Sequence, residues 1–120
     1  MECTVLVVDD EENIRHIIRD ILEDEGYTVI TAPNGVKALN TVKLKHPDIV
    51  ILDIWMPGIG GMEVLQQLRM DYPEIVVIVI TGHGTVDTAV SALKLGAFDY
   101  IEKPLSMDKI ISIVKKACHN

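Results

Sequence analysis

The sequence predicts an α/β fold, a doubly wound five-stranded parallel sheet with helices on both faces. Short, unbroken apolar segments alternate five times with segments whose apolar residues recur every three or four positions. The apolar segments lack the alternation of a half-exposed strand, so they indicate strands buried on both faces. Strict alternation of such strands with helices is typical of doubly wound sheets.

The first half of the chain carries three predicted strands and two predicted helices. The strands are Thr4 to Val8, Tyr27 to Thr31 and Asp48 to Asp53. The first helix has one apolar face, formed by Ile14, Ile17, Ile18, Ile21 and Leu22. Gly26 is expected to end that helix in a left-handed conformation. Asn34-Gly35 begins the second helix, which runs to Pro47 and carries Val36, Leu39 and Val42.

The second half repeats the same alternation. The third helix follows a loop from Pro57 to Gly61 and ends before Pro73, and its apolar residues are Met62, Leu65 and Leu68. The fourth and fifth strands are Ile75 to Ile80 and Phe98 to Ile101. Between them lies a fourth helix, ended by Gly96, with a stripe of Val86, Ala89, Val90 and Leu93. The last helix carries Ile110, Val114 and Ala117.

The composition restricts the possible classes of function. The chain has 120 residues, which fits one domain over residues 1–120. Eighteen acidic and eleven basic side chains give a net charge of −7, which argues against direct binding of nucleic acid. No segment approaches the roughly 20 apolar residues that span a bilayer, and no secretory signal opens the chain. Cys3 and Cys118 lack metal-binding spacing, so we expect reduced thiols in a cytoplasmic protein.

Polar residues stand at the ends of four predicted strands. They are Asp9 and Asp10 after the first strand, Asp53 at the end of the third, Thr81 after the fourth and Lys103 after the fifth. Because parallel strands end at the same edge of a sheet, these side chains are expected to converge there. Ligands of doubly wound sheets bind beyond this edge.

Three carboxylates, a hydroxyl and an amine at one edge suit a metal ion and a phosphoryl group. If Asp9, Asp10 and Asp53 lie about 5 Å apart, each pair of charges repels by about 3 kcal/mol at an effective dielectric constant of roughly 20. Such a cluster either raises a pKa or binds a cation, and an all-oxygen set favours Mg²⁺ or Mn²⁺ over zinc. Asp53 would then attack phosphorus, while Lys103 and Thr81 would hold phosphoryl oxygens.

Each of these residues also has an ordinary structural interpretation. Asp9 and Asp10 open an acidic run that would complement a helix N-terminus. Taken alone, Asp53 is typical of a turn, Thr81 of a strand and Lys103 of the surface. Their joint placement on one edge favours the functional interpretation. His83 is close enough to Thr81 in sequence to lie at the rim of the site, although we do not expect it to be a ligand.

The chain resembles the receiver domains of two-component response regulators along essentially its whole length. The matching motifs are Val8-Asp9-Asp10-Glu11, Asp53-Ile54-Trp55-Met56-Pro57 with Gly61, Thr81-Gly82, and Tyr100-Ile101-Glu102-Lys103-Pro104. As a set at these positions they are highly specific. The resemblance implies a flavodoxin-like (β/α)5 fold. It also implies a regulatory domain that is not an enzyme, beyond catalysing its own phosphorylation and dephosphorylation.

The resemblance implies a phosphoacceptor and a metal site. Asp53 would accept a phosphoryl group from a sensor histidine kinase. Asp10, Asp53 and the backbone carbonyl of Trp55 would bind Mg²⁺ directly, with Asp9 acting mostly through metal-bound water. Lys103 would pair with the phosphoryl group, and Lys103-Pro104 resembles the family's cis peptide.

The resemblance also implies a conformational switch. Thr81 would turn toward the phosphoryl group and Tyr100 would turn inward. These movements would alter the face made by the fourth helix, the fifth strand and the last helix. We expect that face to control an output domain, and phosphorylation to produce a homodimer.

A narrower resemblance concerns the stretch from Thr81 to Ala89 and the stretch from Lys94 to Tyr100. Both are similar to receivers of sigma-54-dependent enhancer-binding activators, whose downstream ATPase and DNA-binding domains are not in this chain. The output would therefore be transcriptional. One departure is Gly60, where many receivers have Asp, so a helix-capping side chain is missing.

Three alternatives stay open at this level. A Mg²⁺-dependent phosphohydrolase with an aspartyl nucleophile, of the haloacid-dehalogenase type, needs a second Asp two residues after the nucleophile, where this chain has Trp55. A flavin-binding module needs a Ser/Thr/Gly-rich loop after the first strand, and the acidic run there would repel the phosphate. A phosphate-independent interaction domain usually lacks the acidic pair or the acceptor.

Overall fold

The computed structural model describes residues 2–82 and 86–119, and within them strands and helices alternate as predicted. The strands are β1 (Thr4–Val8), β2 (Thr28–Ala32), β3 (Ile49–Asp53), β4 (Val76–Thr81) and β5 (Asp99–Glu102). The helices are α1 (Glu12–Asp24), α2 (Gly35–Lys45), α3 (Gly61–Asp71), α4 (Val86–Lys94) and α5 (Met107–Cys118). The strand bounds differ from the predicted bounds by at most one residue.

The strands form one parallel sheet in the order β2-β1-β3-β4-β5, which confirms the predicted flavodoxin-like architecture. From β1 the chain first moves outward to β2 and then crosses back to β3, so the direction of winding reverses between β1 and β3. Crevices at such a switch point are where ligands of open α/β sheets bind. Asp9 follows β1 and Asp53 ends β3, so these two carboxylates flank the switch point.

Both faces of the sheet are covered, which explains the unbroken apolar runs. In β1, Leu6 and Val8 pack on one face, together with buried residues of α2, α3 and α4. Val5 and Val7 pack on the other face, together with buried residues of α1 and α5. Because successive side chains of a strand point to opposite faces, a strand between two helical layers must be apolar at every position.

The ends of the helices follow the local sequence. Gly26 adopts a positive φ of 93° after α1, as predicted. The Asn34 side chain accepts a hydrogen bond from the Lys37 N–H at 2.9 Å and caps α2. Gly60 precedes α3 without a side-chain cap, which confirms the expected loss of that interaction. None of the described helices is long and apolar enough to cross a membrane.

Two predicted apolar faces are more exposed than expected. On α1, Ile18 and Leu22 are buried and Ile14 and Ile21 pack against the same cluster, but Ile17 lies to one side of this stripe and is exposed. On α4, the small residues Ala89 and Ala92 are buried, whereas Val90 and Leu93 remain exposed. The exposed apolar side chains of α4 form part of a solvent-facing surface rather than of the core.

The two cysteines, at opposite ends of the sequence, belong to the same apolar cluster. Cys3 is buried, Cys118 packs against that cluster, and both are free thiols. Burial raises the pKa of Cys3 to about 12, and a hydrogen bond with Cys118 acts in the same direction. A thiol that stays protonated is a poor nucleophile, so the structure gives Cys3 a packing role.

Candidate functional site

Asp9 and Asp53 are carboxylates held inside the sheet edge by the strands that precede them. Val8 pairs with Leu52 across the β1–β3 ladder, so the next residues, Asp9 and Asp53, emerge side by side. Asp9 is fully buried and Asp53 is 3% exposed, whereas Asp10 is exposed. Two buried carboxylates next to each other cost free energy unless a cation or a proton offsets them. The sequence predicted this convergence.

Each buried carboxylate is oriented by a backbone N–H two residues further along the chain. Asp9 Oδ1 accepts a hydrogen bond from the Glu11 N–H at 2.9 Å, and Asp53 Oδ1 accepts one from the Trp55 N–H at 3.0 Å. The same turn is thus used at the ends of both central strands. It occupies one oxygen of each group and leaves each Oδ2 within 4 Å of the Lys103 ammonium.

Lys103 is the cation of the site. Its ammonium nitrogen lies 3.9 Å from Asp9 Oδ2, 3.9 Å from Asp53 Oδ2 and 3.5 Å from Glu11 Oε1. Its backbone N–H donates to the Thr81 carbonyl at 2.9 Å, which fixes the chain just beyond β5. The following peptide bond, to Pro104, is cis. The distances show that Lys103 lies close to both buried carboxylates, as the sequence predicted.

Burial and mutual repulsion raise the pKa values of the carboxyl groups. Burial is the largest cause for Asp53, followed by the charge of Asp9, and together they raise the pKa of Asp53 to about 6 despite Lys103. Burial also raises the pKa of Asp9, against the opposing hydrogen bond from Glu11. Burial alone would lower the pKa of Lys103, but the carboxylates of Asp53, Asp9 and Glu11 hold it above its ordinary value.

The carboxylates fit a divalent cation. One oxygen from each of Asp9, Asp10 and Asp53 lies within 4.8 Å of the other two. Asp9 Oδ2 is buried and has no hydrogen-bond partner among the described residues, so one buried oxygen of the cluster is unsatisfied. An all-oxygen set with room for water suits Mg²⁺, which keeps several waters when it binds to proteins. The residues present therefore match the predicted ion.

Thr81 and Tyr100 share the face of the sheet that α4 covers. Thr81 ends β4 and is buried, and it lies two residues beyond Val79 on the same face. Tyr100 pairs with Val79 across the β4–β5 ladder and is half-buried against the same cluster. The two predicted switch residues therefore occupy neighbouring strands on one side, next to α4.

Trp55 lies at the rim of the site. Its side chain is 60% exposed, although its backbone N–H is tied to Asp53. It lines a groove of about 470 Å³ together with Met56 and Met62, next to the start of α4. The indole therefore lies where a change at the carboxylates would alter its surroundings.

Three contributors to the site were missed or underused by sequence reasoning. Glu11 was named in the acidic run and in the receiver motif but was given no contact, yet it pairs with Lys103. Arg15 donates from Nη1 to the Asp9 carbonyl at 2.7 Å, and no sequence signal indicated that contact. A Cβ at Gly61 would collide with the backbone carbonyl of Asp53, so only glycine lets α3 begin this close to β3. His83, predicted to lie at the rim, is outside the described residues.

Comparison with known proteins agrees with this geometry. The sequence model of the response regulator receiver domain family matches residues 5–115. Over 115 residues the chain is 42% identical to the nitrogen assimilation regulatory protein NtrX of Azorhizobium caulinodans, which covers 94% of this chain and 25% of that protein. Over 113 residues it is 40% identical to the DNA-binding transcriptional regulator NtrC of Escherichia coli K12, which covers 94% of this chain and 24% of that protein.

A solved structure shows the same fold over nearly the whole chain. The receiver domain of NtrX from Brucella abortus superposes with a TM-score of 0.94 at 41% identity, covering 97% of this chain and 98% of that one. The chain spans about a quarter of the length of the curated relatives that it matches. The similarity therefore concerns the receiver part of those longer regulators.

Proposed function

The chain belongs to the response regulator receiver domain family, of the kind found in NtrX and NtrC regulators, and on this premise we propose that Asp53 is its phosphoacceptor. In this proposal residues 1–120 act as one regulatory unit that receives a phosphoryl group from a sensor histidine kinase. The observation that carries it is the buried Asp53 carboxylate, held between a second carboxylate and the Lys103 ammonium. Burying charged carboxylates costs free energy, so a buried carboxylate cluster of this kind indicates a functional site.

The proposed step is an in-line phosphoryl transfer. A carboxylate oxygen of Asp53 forms a bond to phosphorus while the phosphorus–nitrogen bond of the donor phosphohistidine breaks, and the histidine nitrogen keeps the electron pair. Attack requires the ionised carboxylate, and a pKa of about 6 leaves most Asp53 ionised at neutral pH. The hydrogen bond from the Trp55 N–H holds Oδ1 and so limits the rotation of the nucleophile.

We propose Mg²⁺ as the cofactor. Asp10, Asp53 and the Trp55 carbonyl would hold the ion directly, and Asp9 would hold it through water, in line with the unsatisfied oxygen of Asp9. When bound, the ion supplies positive charge that offsets the phosphoryl oxygens and the carboxylates. The exposed position of Asp10 leaves room on the solvent side for the retained waters that this ion prefers.

Lys103 and Thr81 would hold the transferred group. The Lys103 ammonium already faces both buried carboxylates, and it would move to a phosphoryl oxygen once Asp53 is modified. Thr81 ends the strand next to β3, and its hydroxyl would donate a hydrogen bond to another phosphoryl oxygen. In this account the domain is regulatory and catalyses only the gain and loss of its own phosphoryl group.

The phosphoryl group would switch the surface formed by α4, β5 and α5, called here the α4–β5–α5 face. Thr81 and Tyr100 lie on the side of the sheet that α4 covers, so their movement would displace α4 and β5. Val90 and Leu93 of α4 are exposed apolar residues on this face. We propose that the altered face forms a homodimer and controls a downstream ATPase and DNA-binding domain. This output is proposed because the relative NtrC is a DNA-binding transcriptional regulator.

The proposal is tested by intact mass spectrometry after incubation with Mg²⁺ and acetyl phosphate, a small phosphoryl donor. The wild-type chain should gain the mass of one phosphoryl group, and the gain should require Mg²⁺. Asp53→Asn should show no gain, while the matched control Asp20→Asn, which changes an exposed carboxylate of α1, should label like wild type. Unchanged labelling of Asp53→Asn would show that the acceptor is another group.

A further inference from the structure

An exposed lysine lies over the ring of Tyr100, the residue to which the proposed function gives a switching role. The Lys109 ammonium nitrogen is 5.2 Å from the ring centroid, inside the range of about 6 Å for a cation–π contact. Tyr100 lies on the edge strand β5 and is half-buried on the face that α4 covers. Lys109 belongs to α5, whose buried residues pack on the opposite face. Its side chain therefore reaches around the edge of the sheet to cover the ring.

The position of Lys109 within α5 makes this contact informative. Ser106 caps the helix by accepting a hydrogen bond from the Lys109 N–H at 3.3 Å, which places Lys109 in the first turn. A cation in the first turn is disfavoured, because the N-terminal end of a helix carries a partial positive charge. Among the described residues no ion pair involves Lys109. The contact that the structure gives this exposed ammonium is the negative face of the Tyr100 ring.

We propose that Lys109 is a positioning residue that holds Tyr100 in the orientation of the unphosphorylated chain. This role rests on the proposed switch, in which Tyr100 turns inward on the α4 side after phosphorylation of Asp53. The Tyr100 ring is only half-buried in this structure, and a turn further into the α4 side would move it away from the exposed ammonium. The contact would therefore stabilise only the less buried of the two orientations. An interaction made in only one of two states changes the free-energy difference between them by its own free energy, and this changes the ratio of their populations. For an exposed cation–π contact this corresponds to about a two- to fivefold change in the ratio.

The test follows Tyr100 directly by fluorine NMR. The three tyrosines of the chain are replaced with 3-fluorotyrosine, and Tyr100→Phe identifies the Tyr100 resonance. Spectra are recorded in Mg²⁺ alone and during titration with beryllofluoride, a phosphoryl mimic. The variants are Lys109→Met, which removes the charge but keeps most of the length, and Lys109→Arg, which keeps a cation. Lys116→Met, an exposed lysine in the last turn of α5, is the matched control.

Lys109→Met should bind beryllofluoride about two- to fivefold more tightly than wild type, since it no longer stabilises the less buried orientation of the ring. Its Tyr100 resonance should differ from wild type in Mg²⁺ alone and should coincide with wild type at saturating beryllofluoride, where the ring has left Lys109. Lys109→Arg and Lys116→Met should behave like wild type in both respects.

Two failures are distinguishable. A Tyr100 resonance that responds to beryllofluoride in wild type, together with unchanged beryllofluoride affinity in Lys109→Met, would overturn the role of Lys109 and leave the proposed switch standing. A Tyr100 resonance that ignores saturating beryllofluoride in every variant would overturn the switch itself, and the role of Lys109 with it.

Discussion

The ammonium nitrogen of Lys103 lies 3.9 Å from Asp53 Oδ2, close enough to attract the carboxylate but beyond hydrogen-bond distance. The same nitrogen is 3.9 Å from Asp9 Oδ2, so one cation is shared between two buried anions. Burial raises the pKa values of Asp9 and Asp53, and the shared Lys103 opposes these shifts without cancelling them. The site is therefore arranged to receive further positive charge.

The first prediction concerns stability without metal. Since burial raises the pKa of Asp53 from 3.8 to about 6, the folded state holds its proton more tightly than the unfolded state does. Stability contributed by this group is present at acidic pH and is lost as pH rises from about 4 to about 6. Asp53→Asn should therefore be more stable than wild type at pH 8 in a chelator, by up to about 3 kcal/mol, since one pKa unit is about 1.4 kcal/mol.

Urea unfolding of both proteins at pH 8 and near pH 4 checks this expectation. The difference should shrink as the pH falls, because the wild-type carboxyl group becomes neutral there. Asp20→Asn, on the exposed side of α1, should show no comparable gain. If Asp53→Asn is much less stable than wild type at pH 8, Asp53 has a structural role that burial and charge do not explain.

The second prediction uses Trp55, which is the chain's single tryptophan. Its backbone N–H is bonded to Asp53 and its indole is 60% exposed, so its emission should change as Mg²⁺ is titrated and should saturate as one site. Asp10→Asn should weaken the response strongly, because it removes a direct anionic ligand. Lys103→Ala should retain it, since lysine repels the metal. A response that survives Asp10→Asn unchanged would place the ion elsewhere.

The third prediction compares two adjacent glycines at the start of α3. Gly61→Ala places a Cβ against the backbone of Asp53, so the loop after β3 must move, and we expect a loss of at least about 2 kcal/mol of stability. Gly60→Asp adds a side chain in open space at an uncapped N-terminus, and it should gain about 0.3 kcal/mol, since Gly is itself a tolerated N-cap residue. Thermal unfolding of both variants gives the comparison. Equal effects of the two substitutions would contradict the close approach at Gly61.

The fourth prediction concerns self-association through the α4–β5–α5 face. Sedimentation velocity of wild type with Mg²⁺ and beryllofluoride should show a dimer that is absent without beryllofluoride. Leu93→Glu, at a side chain 39% exposed on α4, should keep the fold but abolish the dimer, because it puts a charge into an apolar contact. Leu44→Glu, at a side chain 76% exposed on α2, is the control and should dimerise normally. Identical wild-type profiles in both conditions would remove dimerisation from the account.

Most of the fold was predictable because burial of both faces of a parallel sheet imposes a simple sequence pattern on its strands. A strand covered on both faces must be apolar throughout, so the ends of the apolar runs located Asp9, Asp53, Thr81 and Lys103 to within a residue. The parallel arrangement then required that these ends meet. Asn34-Gly35 also marked the start of α2, and Gly26 marked the positive φ after α1.

The remaining features depend on three-dimensional contacts that periodicity does not record. The exposure of Ile17 depends on how α1 is rotated against the sheet, and Val90 is exposed because small alanines make the contact of α4. The reach of Lys109 around the edge of the sheet to Tyr100 joins two faces that a strand pattern keeps apart. Glu11 contacts Lys103 because the loops after β1 and β5 leave the same edge of the parallel sheet and approach each other there.

The central claim is that Asp53, among three clustered carboxylates, is the one that takes the phosphoryl group. Borohydride reduces acyl phosphates and converts a phosphorylated aspartate to homoserine. The position of the homoserine residue in the peptide sequence therefore identifies the acceptor. The chain would be treated with Mg²⁺ and acetyl phosphate, reduced, digested and sequenced by tandem mass spectrometry. The account predicts homoserine at position 53 alone, and none without Mg²⁺. Homoserine at Asp9 or Asp10 instead, with position 53 unmodified, would contradict it.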